Sequence, residues 1–183
     1  GKIITAFLPT AIVGFLLYKI IKSFLLADTA IILWALGIGG FVLILFEMLH
    51  KEKEPQFQNQ EISYKQSFWV GVAQSLSVVP GVSRAAATII GGLMLGVSRN
   101  TIVEFSFLLA VPTMFAATIY DVYKNIDILT TDNLKLLSVG FVLSFLVAII
   151  SIRFLVKFIK NRTFVSFGVY RIFVALAFWL FLR

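Results

Sequence analysis

The chain has 183 residues, of which 60% are hydrophobic and 14% charged, with a formal net charge of +7 and a mean hydropathy of +0.97. That balance leaves too little polar surface to cover a soluble core, so the composition is that of a polytopic membrane protein. The Lys and Arg residues cluster at the ends of apolar runs, where they serve as membrane-interface anchors, and a nucleic-acid partner is excluded on that ground. The absence of Cys excludes disulfides and thiolate chemistry, and a single His argues against a zinc site.

In chain order, the first apolar stretch runs from about Ile3 to Leu26, interrupted by Pro9 and by Lys19 and Lys22. It opens at Gly1 without an initiator Met and has no small-residue cleavage site. It therefore reads as an internal transmembrane segment, and the chain as a piece of something longer. The second stretch, about Thr29 to Leu49, carries Gly37, Gly39 and Gly40, a small-residue face for close helix contact. A polar segment, "HKEKEPQFQNQEISYKQ", follows. Three further stretches, about Arg99 to Tyr123, Asn133 to Ile159 and Phe164 to Leu182, are also long enough to cross a bilayer, which takes about 20 residues. Sorting the basic residues by side gives eight against five, a slight bias placing the 50–66 loop in the cytoplasm and the C-terminus outside.

The segment between about 66 and 97 is different. Pro80-Gly81 divides it into two arms of about 14 residues, each too short to span and of a length that suits re-entrant segments. Pro followed by Gly marks a turn, and irregular backbone at membrane depth is tolerated only beside protein or a water-filled cavity. The expectation is a re-entrant helix-turn-helix hairpin with its tip in a polar cavity. Ser83 is placed to cap the second arm. A helix N-terminus attracts anions, Arg84 adds a planar fork for two phosphate oxygens, and Thr88 lies one turn along on the same face. Two readings stand at this point. One is a phosphate cradle; the other is a capped kink whose arginine snorkels or pairs with a carboxylate. The long apolar flanks of Arg84 suit the first better.

Other charges divide in the same way. Ser98-Arg99 reads as an element boundary, and Glu104 as an ion-pair partner of Arg84 or Arg99. Arg171 is deep enough in the last stretch to face a cavity, as a second phosphate contact or as a partner of Glu104. Gln74 either hydrogen-bonds across the hairpin or reaches the cavity. Arg153 reads as a snorkelling residue, His50 as a solvated interface residue, and Asp121 with Lys124 as a surface pair.

The run "VGVAQSLSVVPGVSRAAATIIGGLMLGVSRNTIVEFSFLLAVPTM" resembles the second signature region of bacterial undecaprenyl-diphosphate phosphatases, the bacitracin-resistance membrane family. The family pattern is Pro-Gly-x-Ser-Arg-Ser-x-x-Thr, then Gly-Gly, Gly-x-Ser-Arg and Glu-Phe-Ser-Phe-Leu-Leu. The likeness extends essentially from residue 1 to 183, and "FGVYRIFVA" suits the family's C-terminal helix. The resemblance implies an all-α integral enzyme of the bacterial cell membrane, built as an inverted-topology repeat with two re-entrant helix pairs. Such an enzyme removes the terminal phosphate of undecaprenyl diphosphate, recycling the carrier for cell-wall synthesis. It implies that Ser83, Arg84 and Thr88 bind the diphosphate and stabilise the transferred phosphoryl group. Gly81, Gln74 and Arg171 would be substrate-binding, and a divalent cation, Mg²⁺ or Ca²⁺, would be the cofactor. The partners implied are the polyprenyl diphosphate and membrane lipids, with a homo-oligomer an open arrangement.

The family's other signature, with paired glutamates and a Ser/His loop, is not found. The chain is expected to begin about one third of the way into the family fold, with the metal ligands in the part before it. Ala85 and Ala86 stand where the family pattern has Ser and Gly, and a lost hydroxyl is worth about 1 kcal/mol. A lipid binder or transporter that does not hydrolyse its ligand is the alternative function.

Overall fold

The computed structural model describes residues 1–21, 23, 28–50, 61–126, 131–161 and 163–181. The described residues are all-helical, with seven α-helices, one short 3-10 helix and no strand: α1 (Lys2–Ile20), α2 (Thr29–Leu49), α3 (Tyr64–Gln74), the 3-10 helix (Ser75–Val78), α4 (Arg84–Met94), α5 (Arg99–Lys124), α6 (Thr131–Asn161) and α7 (Val165–Phe181). Three of these, α2, α5 and α6, are long and apolar enough to cross a membrane. The chain is a multi-pass membrane protein. Of the first and last expected spans, the described residues show α1 to Ile20 with Ile21 and Ser23 in π-helical conformation beyond it, and α7 from Val165 to Phe181; the expected end at Leu182 lies outside the described residues. Leu26 and Lys22 lie outside the described residues, as do Lys51, Lys53, Arg162 and Arg183, which entered the charge-based orientation.

Polar side chains set the helix starts. Asp28 Oδ1 accepts from the Ala30 N–H at 2.8 Å to begin α2. Ser63 and Gln66 form a reciprocal capping box on α3, and Gln66 Nε2 donates to the Leu95 carbonyl at 3.1 Å, tying the start of α3 to the end of α4. That end is a Schellman motif: Gly96 has φ +77, its N–H donates to the Leu93 carbonyl, and the Val97 N–H donates to the Gly92 carbonyl. Ser98 then caps α5 immediately, accepting from the Thr101 N–H at 3.3 Å. The Ser98-Arg99 pair is thus an element boundary, as its sequence suggested.

Two packing units result. In the first, α1, α3, α4 and α5 enclose a core of Ala6, Val70, Ile89, Leu93, Ile102, Val103 and Leu109. Here α1 and α3 cross at backbone contact, because a Cβ on Gly71 would overlap the Ala6 carbonyl. The second unit is the pair α2 and α7. A Cβ on Gly40 would stand 2.7 Å from the Gly168 oxygen, and one on Gly168 would stand 2.6 Å from the Gly40 oxygen. The expected small-residue face of α2 is therefore the seat of α7. By contrast, every residue of α6 from 134 to 154 is exposed within this chain.

An ion pair links the units. Arg99 Nη2 lies 3.0 Å from Glu47 Oε1 with both side chains largely covered, and its guanidinium sits over the Phe164 ring, 4.7 Å from the centroid. Hydrogen bonds to charged groups contribute about 1.5–3 kcal/mol. Glu47→Gln is expected to lower stability by about 2 kcal/mol on that basis, measured as an earlier thermal unfolding transition in detergent, with no change in catalytic parameters below it.

Candidate functional site

The two arms of the segment from 66 to 97 pack against each other as α3 and α4, and their last polar residues converge on the connecting turn. The first arm tightens into the 3-10 helix at Ser75–Val78 before Pro80. Val79, preceding the proline, is extended (φ −74, ψ 120) as the ring demands. The Val82 N–H donates to the Val79 carbonyl at 3.1 Å, which closes a four-residue turn with Pro80 and Gly81 at its centre. Gly81 has φ +90, the left-handed value that the third residue of a type II turn takes. A Cβ there would also stand 2.5 Å from the Ile32 oxygen of α2. Only glycine satisfies both conditions.

Beyond the turn, Ser83 Oγ accepts from the Ala86 N–H at 3.2 Å and caps α4 as expected. Arg84 is the first residue of that helix. It lines a cavity of about 640 Å³ between α1, α5 and the hairpin, together with Thr10, Tyr18, Ser77, Thr113, Tyr120 and Asp121. Its Nη1 is buried with no hydrogen-bond partner among the described residues. An uncompensated buried guanidinium nitrogen is unfavourable, and an anion in the cavity that this side chain lines would neutralise the charge of the group as a whole. Glu104, considered as its partner, is exposed on α5.

Gln74 and Thr88 lie one turn behind the tip, and both are fully buried. The Thr88 hydroxyl is 3.2 Å from Gln74 Oε1 and 2.8 Å from the Arg84 carbonyl. Gln74 Nε2 donates to Thr10 Oγ1 at 3.2 Å and to Thr113 Oγ1 at 3.3 Å. The Thr10 hydroxyl donates to the Gly71 carbonyl and the Thr113 hydroxyl to the Leu109 carbonyl. Both hydroxyls have therefore used their protons and can only accept, which fixes the amide with its NH₂ toward them. Gln74 bonds across the hairpin, the first of its two expected possibilities. Thr10 and Thr113 were not singled out from sequence, although each directly follows a proline within a helix, Pro9 in α1 and Pro112 in α5.

Arg171 approaches the tip from the opposite side. Its Nη2 donates to the Gly81 carbonyl at 2.7 Å and lies 3.4 Å from the Ala35 carbonyl, while its Nε lies 3.4 Å from that of Leu36. The structure thus gathers Gly81, Ser83, Arg84 and Arg171 at one turn, with Gln74 and Thr88 supporting it from within. Asp121 and Lys124 do not form the expected pair, since Lys124 Nζ lies over the rings of Tyr18 and Tyr120 at 4.0 and 4.8 Å. His50 stacks on Phe46 at 4.7 Å.

The tip is cationic, and no group of three His, Cys, Asp or Glu residues that could hold a metal ion occurs among the described residues. The resemblance places the oxygen ligands of the implied Mg²⁺ or Ca²⁺ in the family's other signature, away from this tip.

Comparison with known proteins bears on a site of this form. The family model described as bacitracin resistance protein BacA matches residues 1–177. The chain belongs to the BacA family. Among its relatives in that family, the undecaprenyl-diphosphatase of Sulfurihydrogenibium sp. (strain YO3AOP1) is 49% identical over 180 residues, covering 98% of this chain and 71% of the relative. That of Wolinella succinogenes is 46% identical over 182 residues, covering 99% and 70%. That of Aquifex aeolicus is 42% identical over 183 residues, covering 98% and 72%. The hairpin, with its turn and Arg84, lies inside the stretch that the family model covers.

Proposed function

We propose that this protein is an undecaprenyl-diphosphate phosphohydrolase, with the α3–α4 hairpin as a re-entrant element whose tip receives the terminal phosphate. The observation that carries the reading is Arg84, a half-buried arginine in a cavity wall with its Nη1 unpartnered. Identity above 40% to undecaprenyl-diphosphatases along nearly the whole chain supports the substrate.

In this reading the diphosphate headgroup enters the cavity with its terminal phosphoryl group at the α4 N-terminus. The Arg84 side chain and the backbone N–H groups of Arg84 and Ala85, which the Ser83 cap leaves open, hold the non-bridging oxygens, where charge is spread in the transition state of phosphoryl transfer. Water oxygen forms the new bond to phosphorus, and the bridging P–O bond breaks. Its electron pair leaves with undecaprenyl phosphate, and inorganic phosphate is the second product. Thr88 and Gln74 act from behind, locking the two arms so that Arg84 does not have to be organised during the reaction. Ala85, where the family pattern has serine, packs against the apolar core.

The test is product analysis. The full-length protein in detergent is expected to convert undecaprenyl diphosphate into equal amounts of undecaprenyl phosphate and inorganic phosphate. Recovery of intact lipid diphosphate, bound or moved between leaflets, would instead establish a binder or transporter.

A further inference from the structure

The resemblance made Arg171 a ligand of the substrate, yet its Nε and Nη2 are directed at backbone. The strongest of its contacts is the charge-assisted bond to the Gly81 carbonyl at 2.7 Å, with the carbonyls of Ala35 and Leu36 completing its surroundings. The seat is built by missing side chains. A Cβ on Gly39 would stand 2.6 Å from Arg171 Nη2, and the Gly40–Gly168 contact is what lets α7 come this close to α2. Arg171 is also absent from the lining of the cavity that Arg84 faces. From this geometry we infer that Arg171 is a positioning residue: it holds the Gly81–Val82 peptide and so sets the direction in which Ser83 and Arg84 leave the turn.

Three features support the assignment. Gly81 is the residue at which the chain reverses, with φ +90, and without a Cβ its backbone has more conformations open to it than its neighbours'. Its peptide is gripped on both sides, since Val82 N–H is tied to Val79 within the turn and the Gly81 oxygen is tied to Arg171 outside it. The bond also turns the negative end of that peptide dipole toward α7 and away from the position proposed for the phosphate. A lysine would bring a point charge in place of the planar fork that reaches the three carbonyls.

This inference rests on the proposed phosphatase site, so its test separates the two. In the full-length protein, Arg171→Ala is expected to lower kcat/KM on the order of 100-fold, the scale of a misplaced catalytic group, with Arg171→Lys recovering part of it. In an Arg84→Ala background, Arg171→Ala is expected to change the residual rate less than about threefold, because the two act through one element. Hydrogen–deuterium exchange of the peptide spanning Val79–Ala86 should accelerate in Arg171→Ala and stay unchanged in Arg84→Ala. Gly39→Ala serves as a second variant: it keeps the arginine and its charge but displaces the guanidinium, and should reproduce both the rate loss and the faster exchange. Additive losses in the double variant with unchanged exchange would overturn the inference in favour of direct substrate contact. Wild-type turnover in Arg84→Ala would overturn the site itself, while the exchange data would still decide whether Arg171 holds the turn.

Discussion

Arg84→Ala is expected to lower phosphate release from undecaprenyl diphosphate by about 10²–10³-fold in kcat, the effect of removing one preorganised donor from a transition state that develops charge. The guanidinium is already half-buried and only partly satisfied before any ligand arrives, so the unfavourable free energy of dehydrating it belongs to folding and not to the reaction. The anion then meets a donor that has no water to shed on its buried side. For the same reason the variant should be no less stable than the parent, because alanine removes a strained charge without breaking an ion pair. Arg84→Lys should recover a fraction of the rate, since an ammonium is a point charge and cannot present two parallel N–H groups to one phosphoryl group. A full kinetic series on both variants, with thermal unfolding in parallel, checks the claim. Unchanged kcat in Arg84→Ala would remove the tip from the mechanism.

The second large effect is expected at Gly71, where the consequence is structural. The added methyl of Gly71→Ala would collide with the Ala6 carbonyl. That neighbour is backbone and cannot rotate away, so α1 must separate from α3. Overpacking of this kind costs about 1–3 kcal/mol where side chains can yield, and the top of that range is the expectation here. The loss would extend beyond the crossing itself. Thr10 donates to the Gly71 carbonyl and accepts from Gln74, so shifting α1 breaks both bonds at once and leaves buried polar groups unpaired. Lower yield of monodisperse protein and a reduced unfolding temperature are the measurements. A variant as stable as the parent would mean that the two helices can separate freely.

Much of this was legible in the residues themselves. Pro80-Gly81 followed by Ser83 identified the turn and the cap because both depend on local chemistry: a fixed φ, a permitted positive φ and a hydroxyl one position before a helix. The glycines of α2 announced a close partner, but not that the partner was α7, since a small-residue face names no opposite number. Spacing put Arg84 and Thr88 on one face, yet a helix face is wide. Arg84 lines the cavity while the Thr88 hydroxyl turns back to its own helix and to Gln74. The direction of Arg171 was out of reach for the same reason. Its three acceptors are main-chain oxygens on two other segments, and carbonyls leave no mark in a sequence.

The uniform exposure of α6 from 134 to 154 bears on how the chain records information. Along that helix α5 is the neighbour within the chain, and it covers none of these side chains fully, so little there distinguishes Leu from Ile, Val or Phe beyond the need to be greasy and helical. In the hairpin and its flanks, one methyl at Gly71 or Gly81 meets a carbonyl, and one amide at Gln74 serves three helices. Substitution rates along the two stretches should therefore diverge. One part of the chain is edited by its solvent, the other by its neighbours.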